Sequence, residues 1–215
     1  MLKTVVIFDS GFGGELFADY VEEKVPIFNV IRVIDWRHAS EINKSPRLAR
    51  KHALKALRPY INRADAIVFA NYLLSMTSLK YFRRKFKNQT FIGFKFPKPR
   101  RHQTALILAT HALTKTFAFK RKTFMRKIIP AIYDDWPVLI DDGELNSILV
   151  HRELVGYKTF KPKKVYLACT QFADIKPIVR QTFGPTVGIY DGYRDTLNQI
   201  CHTLRLRGLD YKRKK

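Results

Sequence analysis

The residues able to do chemistry stand directly after short apolar runs. Asp9-Ser10 follows Val5-Val6-Ile7-Phe8, Asn71-Tyr72 follows Ile67-Val68-Phe69-Ala70, and Cys169-Thr170-Gln171 follows Val165-Tyr166-Leu167-Ala168. Thr110, Asp35 and Asp141 close three more such runs. This is one thiol, several hydroxyls, an amide and carboxylates. A thiol is a proton-transfer group once neighbours adjust its ionisation. Hydroxyls and amides hold a small polar substrate so that one bond faces that thiol. Between Ser10 and Glu15 lies Gly11-Phe12-Gly13-Gly14, a loop whose glycines let backbone approach an anion at a helix start. It lacks the spacing of a dinucleotide fingerprint and has no Lys-Ser/Thr ending, so a nucleotide-phosphate loop is rejected.

The elements that would position these groups alternate. Apolar runs at 5–8, 30–34, 66–70 and 90–94 read as strands, and helices separate them. Ser45-Pro46 reads as an N-cap with proline in the first turn, and Leu48, Ala49, Ala53, Ala56, Leu57 and Tyr60 follow on one helical face. A helix is expected from Ser75 to Phe86. Lys95 to Arg100, with two prolines, reads as a linker. A second set begins with strand 105–110, a basic stretch 114–132 that is helical in part, and an apolar run 137–142 ending on Asp141-Asp142. A helix 144–154, strand 164–170, helix 174–182, strand 187–191 and a last helix 194–206 complete it. The pattern predicts an α/β protein of two similar doubly wound lobes with parallel sheets and an active-site cleft between them. Residues 1–96 form the first lobe, joined by a C-terminal helix at 191–210, residues 97–190 form the second, and 211–215 are a basic tail.

Composition narrows the class. The chain has 215 residues, 46% hydrophobic and 13% aromatic, enough for a full core. Two cysteines, Cys169 and Cys201, do not make a disulfide framework and fit a reducing compartment. No run is long and apolar enough to span a membrane, and the opening residues lack a signal peptide's pattern, so a cytoplasmic protein with no membrane partner is expected. Forty Lys+Arg against 18 Asp+Glu give +22. Such a field attracts nucleic acid without sequence specificity and steers small anions. The basic residues are scattered and no RNA-binding signature collects them, so a solvated basic surface is the plainer reading. Cys201 belongs to the apolar face of the last helix. The six histidines, His38, His52, His102, His111, His151 and His202, show no metal-ligand spacing, and of these His111 alone stands beside a strand end.

Four blocks in order carry a resemblance. Asp9-Ser10-Gly11-Phe12-Gly13-Gly14 resembles the Asp-Ser-Gly-x-Gly-Gly opening of glutamate racemases. Ile67 to Tyr72 is similar to the strand leading into Ala-Cys-Asn-Thr, and Leu167-Ala168-Cys169-Thr170-Gln171-Phe172 to Leu-Gly-Cys-Thr-His-Tyr. Asp35 and Lys44-Ser45 sit where the family has Gly-Asp and Lys-Ser, Thr110 matches the threonine ending the fifth strand, and Asp141 falls near a family glutamate. The chain is thereby similar to the aspartate/glutamate racemase superfamily. That resemblance implies cofactor-free inversion of a small acidic amino acid or dicarboxylate by two thiols, one on each face of Cα. It implies no metal and a frequent homodimer. It makes Cys169 and Asp9 catalytic candidates and Ser10, Asn71, Tyr72, Thr110, Thr170 and Gln171 substrate-binding candidates, with Asp35, Asp141, Ser75 and His111 nearby.

The departures bear on the reaction. The alignment of these blocks sets Ala70 at the first thiol position, Tyr72 for the threonine, Gln171 for the histidine, and Ser40-Glu41-Ile42-Asn43 in place of a Pro-Tyr-Gly loop. Three readings follow. One keeps a racemase with Cys169 and a second group drawn from Asp9, Tyr72 or Ser75. Another is a one-thiol enzyme in the manner of arylmalonate decarboxylases. The third is a fold retained for binding, with nucleic acid as the partner that the charge suggests.

Overall fold

The computed structural model describes residues 2–96, 103–116, 119–120 and 127–205. The linker prolines, His102, the basic residues 121–122 and the tail 211–215 lie outside the described residues. The first half runs β1 (Lys3–Asp9), α1 (Phe12–Lys24), β2 (Phe28–Ile34), α2 (Ala39–Lys44), α3 (Pro46–Leu57), β3 (Ala66–Phe69), α4 (Tyr72–Thr77), α5 (Leu79–Lys85) and β4 (Phe91–Gly93). The second runs β5 (Ala105–Ala109), α6 (His111–Thr114), β6 (Ile128–Ile132), α7 (Trp136–Asp141), α8 (Ser147–Val155), β7 (Lys164–Leu167), α9 (Lys176–Phe183), β8 (Gly188–Tyr190) and α10 (Tyr193–Thr203).

Two four-stranded parallel sheets result, ordered β2-β1-β3-β4 and β6-β5-β7-β8. The orders are equivalent, so β1 corresponds to β5 and β3 to β7. The period-two alternation of β1 explains how the sheets share a core. Val5 and Ile7 face a cluster that also contains Ala105, Ile107, Ala109, Tyr166 and Ala168 of the second sheet, with Phe17, Tyr193 and Leu197 from α1 and α10. Val6 and Phe8 face the other way, into a separate cluster with Ile42, Ala53 and Leu57 of α2 and α3. Leu106, Leu108, Val165 and Leu167 do the same against Val150 and Leu154 of α8. Both sheets are therefore apolar on both faces, as parallel sheets require.

Three elements differ from the sequence expectation. The strand of the basic stretch is β6, at Ile128–Ile132, and it holds Pro130. β6 pairs only with β5, and an edge strand tolerates a residue that cannot donate to a ladder. The apolar run ending on Asp141 is the helix α7, not a strand, with Asp135 before it and Pro137 in its first turn. The helix expected from 75 to 86 is two, divided at Ser78, whose backbone leaves helical geometry at φ −127° and ψ −19° and ends α4 before α5 begins.

Candidate functional site

Four strand ends meet where the sheets face each other. Asp9 closes β1 and is fully buried. Its carboxylate accepts from the Ser10 amide at 2.7 Å, from Asn71 Nδ2 at 3.0 Å and from Thr170 Oγ1 at 3.0 Å. The last bond crosses between the lobes. Burial is the largest effect on this group and lifts its pKa to about 7, against the lowering influence of those three donors. A carboxyl at that value changes charge near neutrality, which suits an acid/base group.

Cys169 lies at the end of β7. Its thiol donates to Gln171 Oε1 at 2.9 Å. Burial, then the nearby Asp9 carboxylate, push the thiol far above its ordinary range. Gln171 also contacts Asp141, whose carboxyl is raised chiefly by burial and lowered by the Phe12 amide and Gln171. The resulting chain runs from carboxylate to amide to thiol. An amide oxygen orients a thiol without taking its proton, so Gln171 positions Cys169 while burial and Asp9 favour its neutral form.

Close approach of the glycine loop completes the frame. The Phe12 amide donates to Asp141 Oδ1 at 2.9 Å across the lobes. A side-chain carbon on Gly13 would lie 2.6 Å from the Gln171 amide nitrogen and inside contact distance of the Thr170 side chain. Only glycine lets α1 start this near β7. At the far side, Tyr72 donates from its hydroxyl to the Asp191 carbonyl at 2.9 Å. Gly192 follows with φ at +80°, and a side chain there would strike that hydroxyl.

The paired registers settle which residues mirror each other. Ala70 N–H donates to Phe8 O, and Ala168 N–H donates to Leu108 O, both at 2.8 Å. Ala70 therefore mirrors Ala168, and Asn71 mirrors Cys169. Ala70 is fully buried in the shared core and does not border the cavity, whereas Asn71 does. The residue opposite Cys169 is thus Asn71. This moves the substituted position by one from the sequence alignment, and no thiol comes from the first lobe in either case. Asn71 is also fully engaged: its Oδ1 accepts from the Leu74 amide at 2.9 Å, capping α4.

The other candidates separate. Ser10, Asn71, Tyr72, Thr110, Cys169, Thr170 and Gln171 all border one enclosed cavity of about 30 Å³. That space takes about one water, while small-molecule sites run from about 300 Å³ upward. Substrate entry therefore requires the lobes to part. Asp141 stands behind the cavity, holding Gln171 and the glycine loop. Ser75 is taken up in packing, donating to Phe69 O and accepting from the Phe94 amide, each at 3.0 Å. His111 is half exposed, and its amide bonds Asp134 at 2.7 Å. Asp35 pairs with His38 at 2.7 Å rather than turning into the cavity. That pair, stacked on His52, was invisible in the spacing of the histidines, because a strand end and the middle of a helix meet there only in the fold. Cys201 is half-buried against the shared core. No described helix is long and apolar enough to cross a membrane.

Comparison with known proteins gives one answer. The glutamate racemase of Clostridium perfringens is 25% identical over 222 aligned residues, spanning 97% of this chain and 85% of that protein. Along nearly its whole length the chain is thus similar to glutamate racemases, at modest identity. No protein-family model matches it. The glutamate racemase of Escherichia coli, solved with L-glutamate and the activator UDP-MurNAc-Ala, superposes with a TM-score of 0.83 at 21% identity, covering 95% of this chain and 83% of that one. A putative Asp/Glu racemase from Yersinia pestis superposes at 0.65 and 9% identity, covering 94% and 99%. The two-lobe α/β fold is theirs, and the glutamate racemase relatives support a racemase-type function for this divergent chain.

Proposed function

We propose that this chain transfers a proton at Cα of a small acidic amino acid without a cofactor, with Cys169 and Asp9 as the acid/base pair. The observation that carries the reading is the buried Asp9 carboxyl, poised near pH 7 and bonded to both Asn71 and Thr170. With an amide mirroring Cys169, the buried Asp9 carboxyl that this amide and Thr170 hold is the first lobe's acid/base candidate, since the Tyr72 hydroxyl is taken up by the Asp191 carbonyl. Ser10 and Thr110 supply donors for a substrate α-carboxylate once the lobes open, while Asn71 and Thr170 hold Asp9. Cys169 must lose its proton to act as base. Burial and the Asp9 carboxylate favour the neutral thiol, so a bound ammonium group, by adding positive charge, is the agent that favours the thiolate.

Optical rotation of L-glutamate and L-aspartate in buffered solution tests this reading. A decline to zero that stops in Cys169→Ser supports it, and unchanged rotation with both substrates sinks it. Carbon dioxide released from a substituted malonate, and lost in the same variant, would instead select the one-thiol decarboxylase.

A second reading rests on its own observation. Tyr72 is pinned to Asp191, the cavity holds about 30 Å³, and the thiol is locked to an amide, as expected of a fold that binds and does not turn over. The +22 charge then makes nucleic acid the partner. Retention on nucleic acid that weakens steeply with salt would support it, and salt-insensitive retention would count against it.

A further inference from the structure

Beyond β2 the chain crosses a short turn, Trp36–His38, and enters α2 and α3. The turn brings His38 back onto Asp35, with Nδ1 and Oδ1 2.7 Å apart. From the middle of α3, His52 lies on His38 face to face, ring centroids 3.9 Å apart and 22° from parallel. Its Nε2 is 2.9 Å from Glu41 Oε2 of α2. One donor atom from each of Asp35, His38 and His52 lies within 4.8 Å of the other two. The three side chains are 13%, 24% and 8% exposed, so the cluster is a lined recess and not a surface scatter.

Two imidazoles and one carboxylate are a nitrogen and oxygen donor set. Magnesium and calcium take oxygen ligands, whereas zinc and its first-row neighbours take imidazole readily. Donors about 2.0–2.1 Å from a tetrahedral ion stand roughly 3.4 Å apart, so closure needs the donors to approach by about 1 Å and the two stacked rings to turn until their in-plane lone pairs converge. Glu41 already occupies one ring nitrogen of His52, the outer-carboxylate arrangement that fixes a ligating imidazole's tautomer and orientation. Three separate elements supply these groups, so an ion there would staple α2 and α3 to the end of β2.

We propose that Asp35, His38 and His52 form a binding site for one divalent transition-metal ion of the zinc type, with Glu41 positioning His52. The site is distinct from the Cys169 cavity, although the Asp35 amide donates to the Asp9 carbonyl at 2.9 Å. It therefore stands whether or not the protein transfers protons.

The test is calorimetric titration of Zn²⁺ into the chelator-stripped, tag-free full chain, with Co²⁺ absorption in the visible as a report of coordination. One ion per chain is expected, with a tetrahedral or five-coordinate cobalt spectrum displaced by zinc. Glu41→Gln should weaken binding roughly 10- to 100-fold, and His38→Gln and Asp35→Asn should weaken it further. His202→Ala, on the exposed side of α10, should change nothing. His52→Ala risks the fold because the ring is buried, so the two less buried positions carry the decision, with far-UV circular dichroism confirming that each variant is folded. Absence of zinc binding in the folded wild type, or binding that survives both His38→Gln and Asp35→Asn, overturns the proposal.

Discussion

The two halves of the cavity are built alike and armed differently. Just beyond β1 and β3 stand Ser10, next to Asp9, and Asn71, while just beyond β5 and β7 stand Thr110 and Cys169, in sheets of equivalent order and register. On the second half the strand end presents a thiol. On the first, the mirror position presents an amide already committed to the Asp9 carboxylate and the Leu74 amide. A scaffold with internal symmetry can thus lose a reactive group from one half without disturbing packing, because the strand end is fixed by backbone pairing and the side chain is free to change. In the proposed reaction the carboxyl beside it, whose burial brings it to about 7, takes the missing group's part.

The largest effect should come from the armed half. Replacing Cys169 with Ala removes the acid/base group and should lower substrate proton exchange by about 10²–10⁴-fold. Circular dichroism should stay native, since the thiol contributes one bond to Gln171. Retained exchange would move the chemistry elsewhere.

The other half is tested through Asp9. Its folded pKa, about 7, exceeds the unfolded value of 3.8. The unfolded chain therefore releases this proton first, so the contribution is a penalty absent below pH 3.8. That penalty grows as pH rises and is complete above about 7, reaching a few kcal/mol at most. Asp9→Asn should lose exchange by about 10²-fold or more, and should also flatten the fall in thermal stability between pH 4 and 7. A variant whose melting temperature tracks the wild type across that range contradicts the assignment of the shift to Asp9.

Contact between the halves rests on Gly13. Gly13→Ala places a carbon against Thr170 and the Gln171 amide, and should cost about 1–3 kcal/mol of stability in denaturant melts. A neutral outcome would mean that the halves close less tightly than their hydrogen bonds indicate.

Smaller gains should follow from making the halves alike. Asn71→Cys restores a thiol facing Cys169 and should raise exchange, after a loss of about 1 kcal/mol from the missing cap. Ala70→Cys should give no gain, because that side chain lies in the shared core. The reverse ranking would restore the sequence alignment over the register. Gln171→His should raise exchange by roughly tenfold in deuterium-uptake rates, since an imidazole can accept the proton that an amide only orients.

Much of this was legible in the residues. Strand ends carrying Asp9, Thr110 and Cys169 follow from short apolar runs closed by polar groups, and the paired lobes follow from βα alternation broken at two prolines. The structure departs where local signals conflict. Pro130 hides β6 because proline argues against a strand, yet an edge position accepts it. The apolar run before Asp141 looks like a strand of length six, and only its opening Asp135-Trp136-Pro137 marks a helix start. Ala70 and Asn71 both fit a hydrophobic strand followed by a polar turn, so the residues alone set Ala70 at the first thiol position, whereas the paired register sets Asn71 as the mirror of Cys169. The His38–His52 contact needs tertiary structure altogether.

The fate of the Cα proton reports most directly on whether Cys169 transfers it. Glutamate of each hand, incubated with the protein in deuterated water and followed by proton NMR, should lose its Cα signal with wild type and keep it with Cys169→Ser. Intact Cα signals with the folded wild-type protein, or equal loss with Cys169→Ser, would contradict the claim that the thiol half still works.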